Sequence, residues 1–339
     1  MFGALGGVGR LGLSGIGGYA TMAPSIDWSF FSAPIPTGAT FTRTNPTATN
    51  VLYTDAGAYT TSGANIPRFN ASRGLLLEPQ KTNSLLNSDT PATQTTASLA
   101  VAIYSLWVIG SGSATVSAGT ATVTGAGVAT QGSPLTFNVT VAGTVTVTVG
   151  GSLTRFQLES AAAATVAPSS YIPTAGGNIT RGTDLLTYPV GSWFNTSVGS
   201  VAIEFISNPV AGVNSNLWGI DDGAGNRNNI IDAFINATPG ITLTVRVANA
   251  QTGSVFPTGT TPGAANKASM AWSSSSVYCS INGGTVNTAA VSGGLPTGLT
   301  RLMLATESFS GVLPLSGYLR RFRYWPRVLS TSELRMYST

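Results

Sequence analysis

The chain has 339 residues, enough for two or three domains with cores of their own. Charged residues make up only 8% of it, against roughly 25% in ordinary soluble domains, and 14 Arg and 2 Lys stand against 12 acids for a net charge of +4. There is no histidine and one cysteine, Cys279, which excludes Ser-His-Asp and Cys-His catalysis, His-ligated zinc, thiolate metal clusters and a disulfide framework. The cationic balance is too weak to point to nucleic acid. Mean hydropathy is positive, +0.23, yet no run reaches the ~18 apolar residues of a membrane span. Low charge is costly for a free soluble monomer and less so within an assembly. The composition therefore points to a β-rich structural or binding protein, not a cytosolic metabolic enzyme.

The first 18 residues hold eight glycines that interrupt every apolar run. They lack the cationic start and continuous apolar core of a signal peptide and read as an arm that orders against a neighbouring protein. Short strands and turns follow to residue 80, with Gly74–Glu78 as a buried strand. From about 99 to 158, runs such as Thr120–Thr124 and Gly143–Val149 alternate small apolar and hydroxyl residues at period two between Gly-rich turns, the pattern of half-buried antiparallel strands. Arg155–Glu159 reads as a closing strand and 160–184 as a linker.

From Ser192 onward the expected strands are Val201–Ile206, Asn216–Ile220, Ile230–Ile235, Ile241–Val247, Ala268–Trp272, Val277–Ile281, Arg301–Ala305 and Gly317–Trp325. Asn282-Gly283 between two of these runs is a strong hairpin signal. In the last strand Leu319, Phe322 and Tyr324 suit a core while Arg320, Arg321 and Arg323 crowd the alternation. Pro326 ends the strand. Ser330 with Glu333 forms an expected capping box, flanked by Leu329 and Leu334 as a hydrophobic staple. The expected fold is all-β. It has an extended Gly-rich arm (1–40), a short-strand connecting region (41–98), a small β-sandwich with linker (99–184) and an antiparallel β-sandwich or jelly roll (185–339).

The segment Trp218–Asn229 is the first candidate site. Sugar recognition stacks an aromatic face on a pyranose ring while planar amides and carboxylates supply directional hydrogen bonds. Trp218, Asp221, Asp222, Asn226, Arg227 and Asn228 could offer both from one loop. A plain turn after a strand is the competing reading, and Ca²⁺ held by oxygens of Asp222, Asn226 and Asn228 is a third. A glycosidase needs two carboxyl groups flanking the scissile bond; only Glu204 with Asp221 or Asp222 offers such a pair, so no catalytic residue is assigned.

Three stretches carry a resemblance. The first comprises Phe41-Thr-Arg-Thr, Asn65-Ile-Pro-Arg-Phe69 and Gly74-Leu-Leu-Leu-Glu-Pro-Gln-Lys-Thr-Asn-Ser-Leu-Leu-Asn-Ser88. The second comprises Gln157-Leu-Glu159, Ser169-Ser-Tyr-Ile-Pro-Thr174 and Thr180-Arg-Gly-Thr-Asp184, and the third runs from Lys267 to Leu334. Together they resemble head-spike or fibre proteins of tailed bacteriophages and gene-transfer particles with a concanavalin A-like, laminin-G-like last domain. The resemblance implies a virion location and a host-surface polysaccharide as partner; docking of the arm on other virion proteins and a homo-oligomer such as a trimer are expected with it, and the charge and hydropathy above point to neither nucleic acid nor membrane. Carbohydrate-active relatives carry a Glu-x-Asp-x-Glu strand; here Glu204 stands alone in the corresponding Val201–Ile206, which favours binding over hydrolysis. A purely structural capsid-decoration or tail protein and a glycan depolymerase are the alternatives.

Overall fold

The computed structural model describes residues 23–43, 51–55, 58–161, 168–208, 214–236, 238, 240–305 and 314–339. They form two β-sandwiches. In the larger, one sheet runs in the order Asn287–Ala290, Ser276–Ile281, Ala265–Ser273, Val198–Ser207, Gly317–Trp325, Gly74–Leu77 and Arg68–Asn70, with Ile26–Ser29 also paired to Gly317–Trp325. The facing sheet runs Thr40–Thr42, Leu185–Pro189, Arg301–Leu304, Ser215–Asp221, Ile230–Ile235, Ile241–Val247 and Ala250–Val255. Its pairings are antiparallel throughout. Apolar residues of both sheets, among them Phe205, Trp218, Leu243, Trp272 and Phe322, fill the space between them.

The smaller sandwich packs Val128–Thr130, Ser113–Ala118, Val145–Gly150 and Gln94–Thr95 against Thr122–Thr124, Leu135–Val141, Ala102–Gly110 and Leu153–Ala161. Alternation places Leu106, Val108, Val145, Val147, Phe156 and Leu158 inside, as period two requires for strands with one buried face. The buried clusters of the two sandwiches have no residue in common.

Several expected boundaries are corrected. Of the expected arm 1–40, residues 1–22 lie outside the described residues, while Ile26–Ser29 and Thr40 are strands of the large sandwich. The connecting region 41–98 supplies Arg68–Asn70 and Gly74–Leu77 to the large sandwich and Gln94–Thr95 to the small one. A two-stranded ribbon, Lys81–Asn83 with Ile179–Arg181, lies in what was expected to be connection and linker. These strands have two to four residues each, too short for periodicity to register, although Gly74–Leu77 falls within the expected Gly74–Glu78. Gly74, between two of them, has φ +108°, and a Cβ there would lie 2.3 Å from the Leu319 carbonyl oxygen. Only glycine lets the turn approach the neighbouring strand so closely.

Candidate functional site

The loop expected to hold the site is built for rigidity. Trp218 is a core residue with 0% exposure, its ring 5.7 Å from that of Trp272 between the sheets. Its face is therefore unavailable to a sugar, which corrects the expectation for this residue. Asp221 is also fully buried, held bidentately by Arg301 (Nε–Oδ1 3.1 Å, Nη2–Oδ2 2.8 Å), its cross-strand partner. That bond holds the Arg301 guanidinium above its ordinary value. Asp222 accepts from the Ala224 N–H (2.9 Å) and from Asn229 Nδ2 (3.0 Å), and Asn226 Oδ1 accepts from the Asn228 N–H (2.8 Å). The oxygens of Asp222 and Asn226 expected for Ca²⁺ or sugar are thus engaged in closing the turn. Arg227 pairs with buried Asp232 and lies over the Phe234 ring, and Asn228 is exposed. Glu204 sits on the other sheet, paired with Arg320 at 2.9 Å, and so is not brought together with Asp221.

The first two stretches that carry the resemblance converge elsewhere, at the junction of the sandwiches, while the third supplies strands of the large sandwich and the terminal helix. Arg68 bonds Glu78 (2.6 Å), Asp184 and Ser170 Oγ (2.6 Å). Arg181 lies 3.2 Å from Glu78 and 3.8 Å from Asp184. Arg43 reaches Asp184 at 3.3 Å, and its N–H donates to Asn65 Oδ1 at 2.8 Å. All three guanidinium groups are fully buried, as is Asp184, with Glu78 nearly so. Burial alone would raise the Glu78 carboxyl, but Arg181, Arg68 and the Ser170 N–H outweigh it and bring the pKa to about 2. Burial and the like charge of Arg68 bring Arg43 down to about 10. Three guanidinium groups thus share the oxygens of two carboxylates.

Around this network the amide side chains complete the joint. Gln157 and Glu159 point away from the core that Phe156 and Leu158 fill, and receive the incoming segment 168–174. Gln157 Oε1 accepts from the Ile172 N–H (2.6 Å), Gln157 Nε2 donates to Glu159 (2.7 Å), and Glu159 accepts from the Ser169 N–H (2.8 Å). Asn83 bonds the Leu85 and Leu158 N–H groups and the Ile172 carbonyl. Most of the charged and amide residues of the first two stretches are therefore parts of a buried polar joint.

Beside that joint lies a cleft of about 430 Å³ with walls from both sandwiches. The small sandwich contributes Trp107 and Gln131, the large one Arg73, Asn208 and Tyr318, and the joint Tyr171. Trp107 lies between Leu106 and Val108, which turn into the core, so its half-buried indole occupies the opposite face. Tyr171 packs edge-on against it at 5.7 Å, and the indole N–H has no acceptor among the described residues. The turn at Asn70, whose Oδ1 accepts from the Ser72 and Arg73 N–H groups, holds the Arg73 backbone. The Arg73 guanidinium lies 4.2 Å from the centre of the Tyr318 ring, a cation–π contact. Sequence reading missed these residues because the cleft exists only where two separately folded sheets meet. The one available signal was Trp107 itself, a large aromatic on the outer face of an otherwise regularly alternating strand.

No protein-family model and no curated protein sequence matches the chain. Solved structures similar to it include the CBM40 of the Ruminococcus gnavus IT-sialidase bound to α2,6-sialyllactose, 16% identical over 43% of this chain and 85% of that one, TM-score 0.37. The same module bound to α2,3-sialyllactose is 17% identical over 43% and 84%, TM-score 0.38. The NanB sialidase of Streptococcus pneumoniae is 17% identical over 42% and 24%, TM-score 0.37. The strand pairing described above, not these likenesses, defines the fold.

Proposed function

We propose that this chain is a virion appendage protein, a head spike or fibre of a tailed phage or phage-like particle, that adheres to host-surface glycan. The virion assignment rests on the sequence resemblance. The observation that carries the adhesive part is the cleft between the sandwiches. There an accessible indole, an amide and a guanidinium converge on a volume within the 300–1,000 Å³ typical of ligand sites. Binding is favoured over hydrolysis because Glu204 lies on one sheet and Asp221 and Asp222 on or just beyond a strand of the other, with Glu204 paired to Arg320, Asp221 to Arg301 and Asp222 engaged in its turn.

A glycan array probed with the full chain tests adhesion. Saccharide binding that Trp107→Ala abolishes, with the circular dichroism spectrum unchanged, is expected. An array without any bound saccharide would overturn adhesion and leave the purely structural role. Immunogold labelling of particles that encode the chain tests location: label on the particle surface is expected, and label confined to unassembled protein would refute the appendage assignment.

A further inference from the structure

We infer that the cleft between the sandwiches selects an acidic saccharide, a sugar ring bearing a carboxylate or phosphate group, with Arg73 as the residue that pairs with the anion. This deepens the glycan-adhesion reading and rests on it.

Arg73 has no carboxylate partner among the described residues; its guanidinium contacts the Tyr318 ring, and its backbone is tied by Asn70. A guanidinium stacked on an aromatic ring keeps its N–H edge available, and that planar fork matches carboxylate and phosphate oxygens. Among the described residues the one carboxylate lining the cleft is Glu78, and it does not offset Arg73. Its oxygens are taken by Arg68, Arg181 and the Ser170 N–H. Behind the cleft residues Ser169 and Ser170 the buried carboxylates Glu159 and Glu78 are each taken up by donors of the joint, which leaves the Arg73 guanidinium as the charge that lines the open space. A cation in the cleft would meet Arg73 without a free anion among the described residues to receive it. A neutral sugar could stack on Trp107 but would leave Arg73 unused.

The full chain is titrated by array and calorimetry with matched saccharides: uronic-acid oligosaccharides, their carboxyl-reduced counterparts, and phosphorylated and unphosphorylated hexose oligomers. Binding confined to the charged members is expected, and which of the two sets binds identifies the anion. Affinity should fall about tenfold or more in Arg73→Gln, weaken with added salt, and stay unchanged in Arg335→Gln, which removes the same charge from the exposed face of the terminal helix. Equal affinity for charged and neutral partners, or an Arg73→Gln protein that binds as tightly as wild type, would overturn the acidic selectivity while leaving adhesion intact. Failure to bind any saccharide would overturn both readings.

Discussion

Trp218 shows why a residue's neighbours in sequence are a weak guide to its surroundings. It stands three positions before Asp221, which suggested a shared loop, yet every residue of Ser215–Asp221 is buried. The strand lies between Arg301–Leu304 and Ile230–Ile235 in the middle of its sheet, and with neither face open there is no alternation to mark which side chains point to the core. Asp221 is legible only once its cross-strand neighbour Arg301 is known. Trp218→Ala should therefore cost about 3–5 kcal/mol of stability, as large-to-small changes of buried aromatics do, measured by urea unfolding. The folded fraction should keep its saccharide affinity. A variant of wild-type stability that no longer bound sugar would restore Trp218 to the binding site.

At the scale of elements, strands rich in large apolar residues were legible, down to Gly74–Leu77 and Arg301–Leu304, whereas Ala250–Val255, with small and polar residues, was not. Ile230–Ile235, Ile241–Val247 and Gly317–Trp325 match the expected bounds, because each is a run of apolar and β-branched or aromatic residues long enough to show a period. The imperfect alternation of the last strand has a structural cause. Glu204 pairs with Arg321 and Phe205 with Leu319, so Arg320 is the extra residue of a β-bulge. Its carbonyl accepts from the Phe30 N–H at 2.9 Å, while Arg321 and Arg323 pair with Asp27. The arginines expected to form a solvated rim are thus largely matched with acids. The terminal helix, Thr331–Tyr337, has the expected capping box: Ser330 Oγ accepts from the Glu333 N–H, and the Glu333 carboxylate accepts from the Ser330 N–H at 2.8 Å. Leu329 and Leu334 are buried in one cluster with Trp325. Because the cap satisfies an otherwise orphaned N–H, Ser330→Ala should lower stability by about 1 kcal/mol, read from the denaturation midpoint. An unchanged midpoint would show that the packing of Leu334 alone sets the helix start.

For the whole molecule, the joint between the sandwiches decides how it unfolds. Each sandwich has its own apolar cluster, the two clusters share no residue, and what the structure places between them is the Arg43, Arg68, Glu78, Arg181 and Asp184 network with its amide partners. A connection made of charges loses strength when Glu78, which Arg68 and Arg181 share, is protonated. The pKa of Glu78 is about 2 in the folded chain, below the ordinary carboxylate value of about 4.3. Its contribution to stability is therefore fully present above pH ~4.5 and is lost as the pH falls through that window towards 2. Differential scanning calorimetry at pH 7 should show one transition, which broadens or divides into two near pH 2.5 as each sandwich melts on its own. Glu78→Gln should divide the transition already at pH 7, since removing one partner leaves Arg68 and Arg181 buried with less compensation. One undivided transition in the variant and at both pH values would mean that the sandwiches are coupled by something other than these ions. In the divided state the Trp107 and Arg73 walls of the cleft lose their fixed separation, so the same variant should also weaken saccharide binding at neutral pH. In the proposed reading, the buried network holds the two walls of the cleft at a fixed separation.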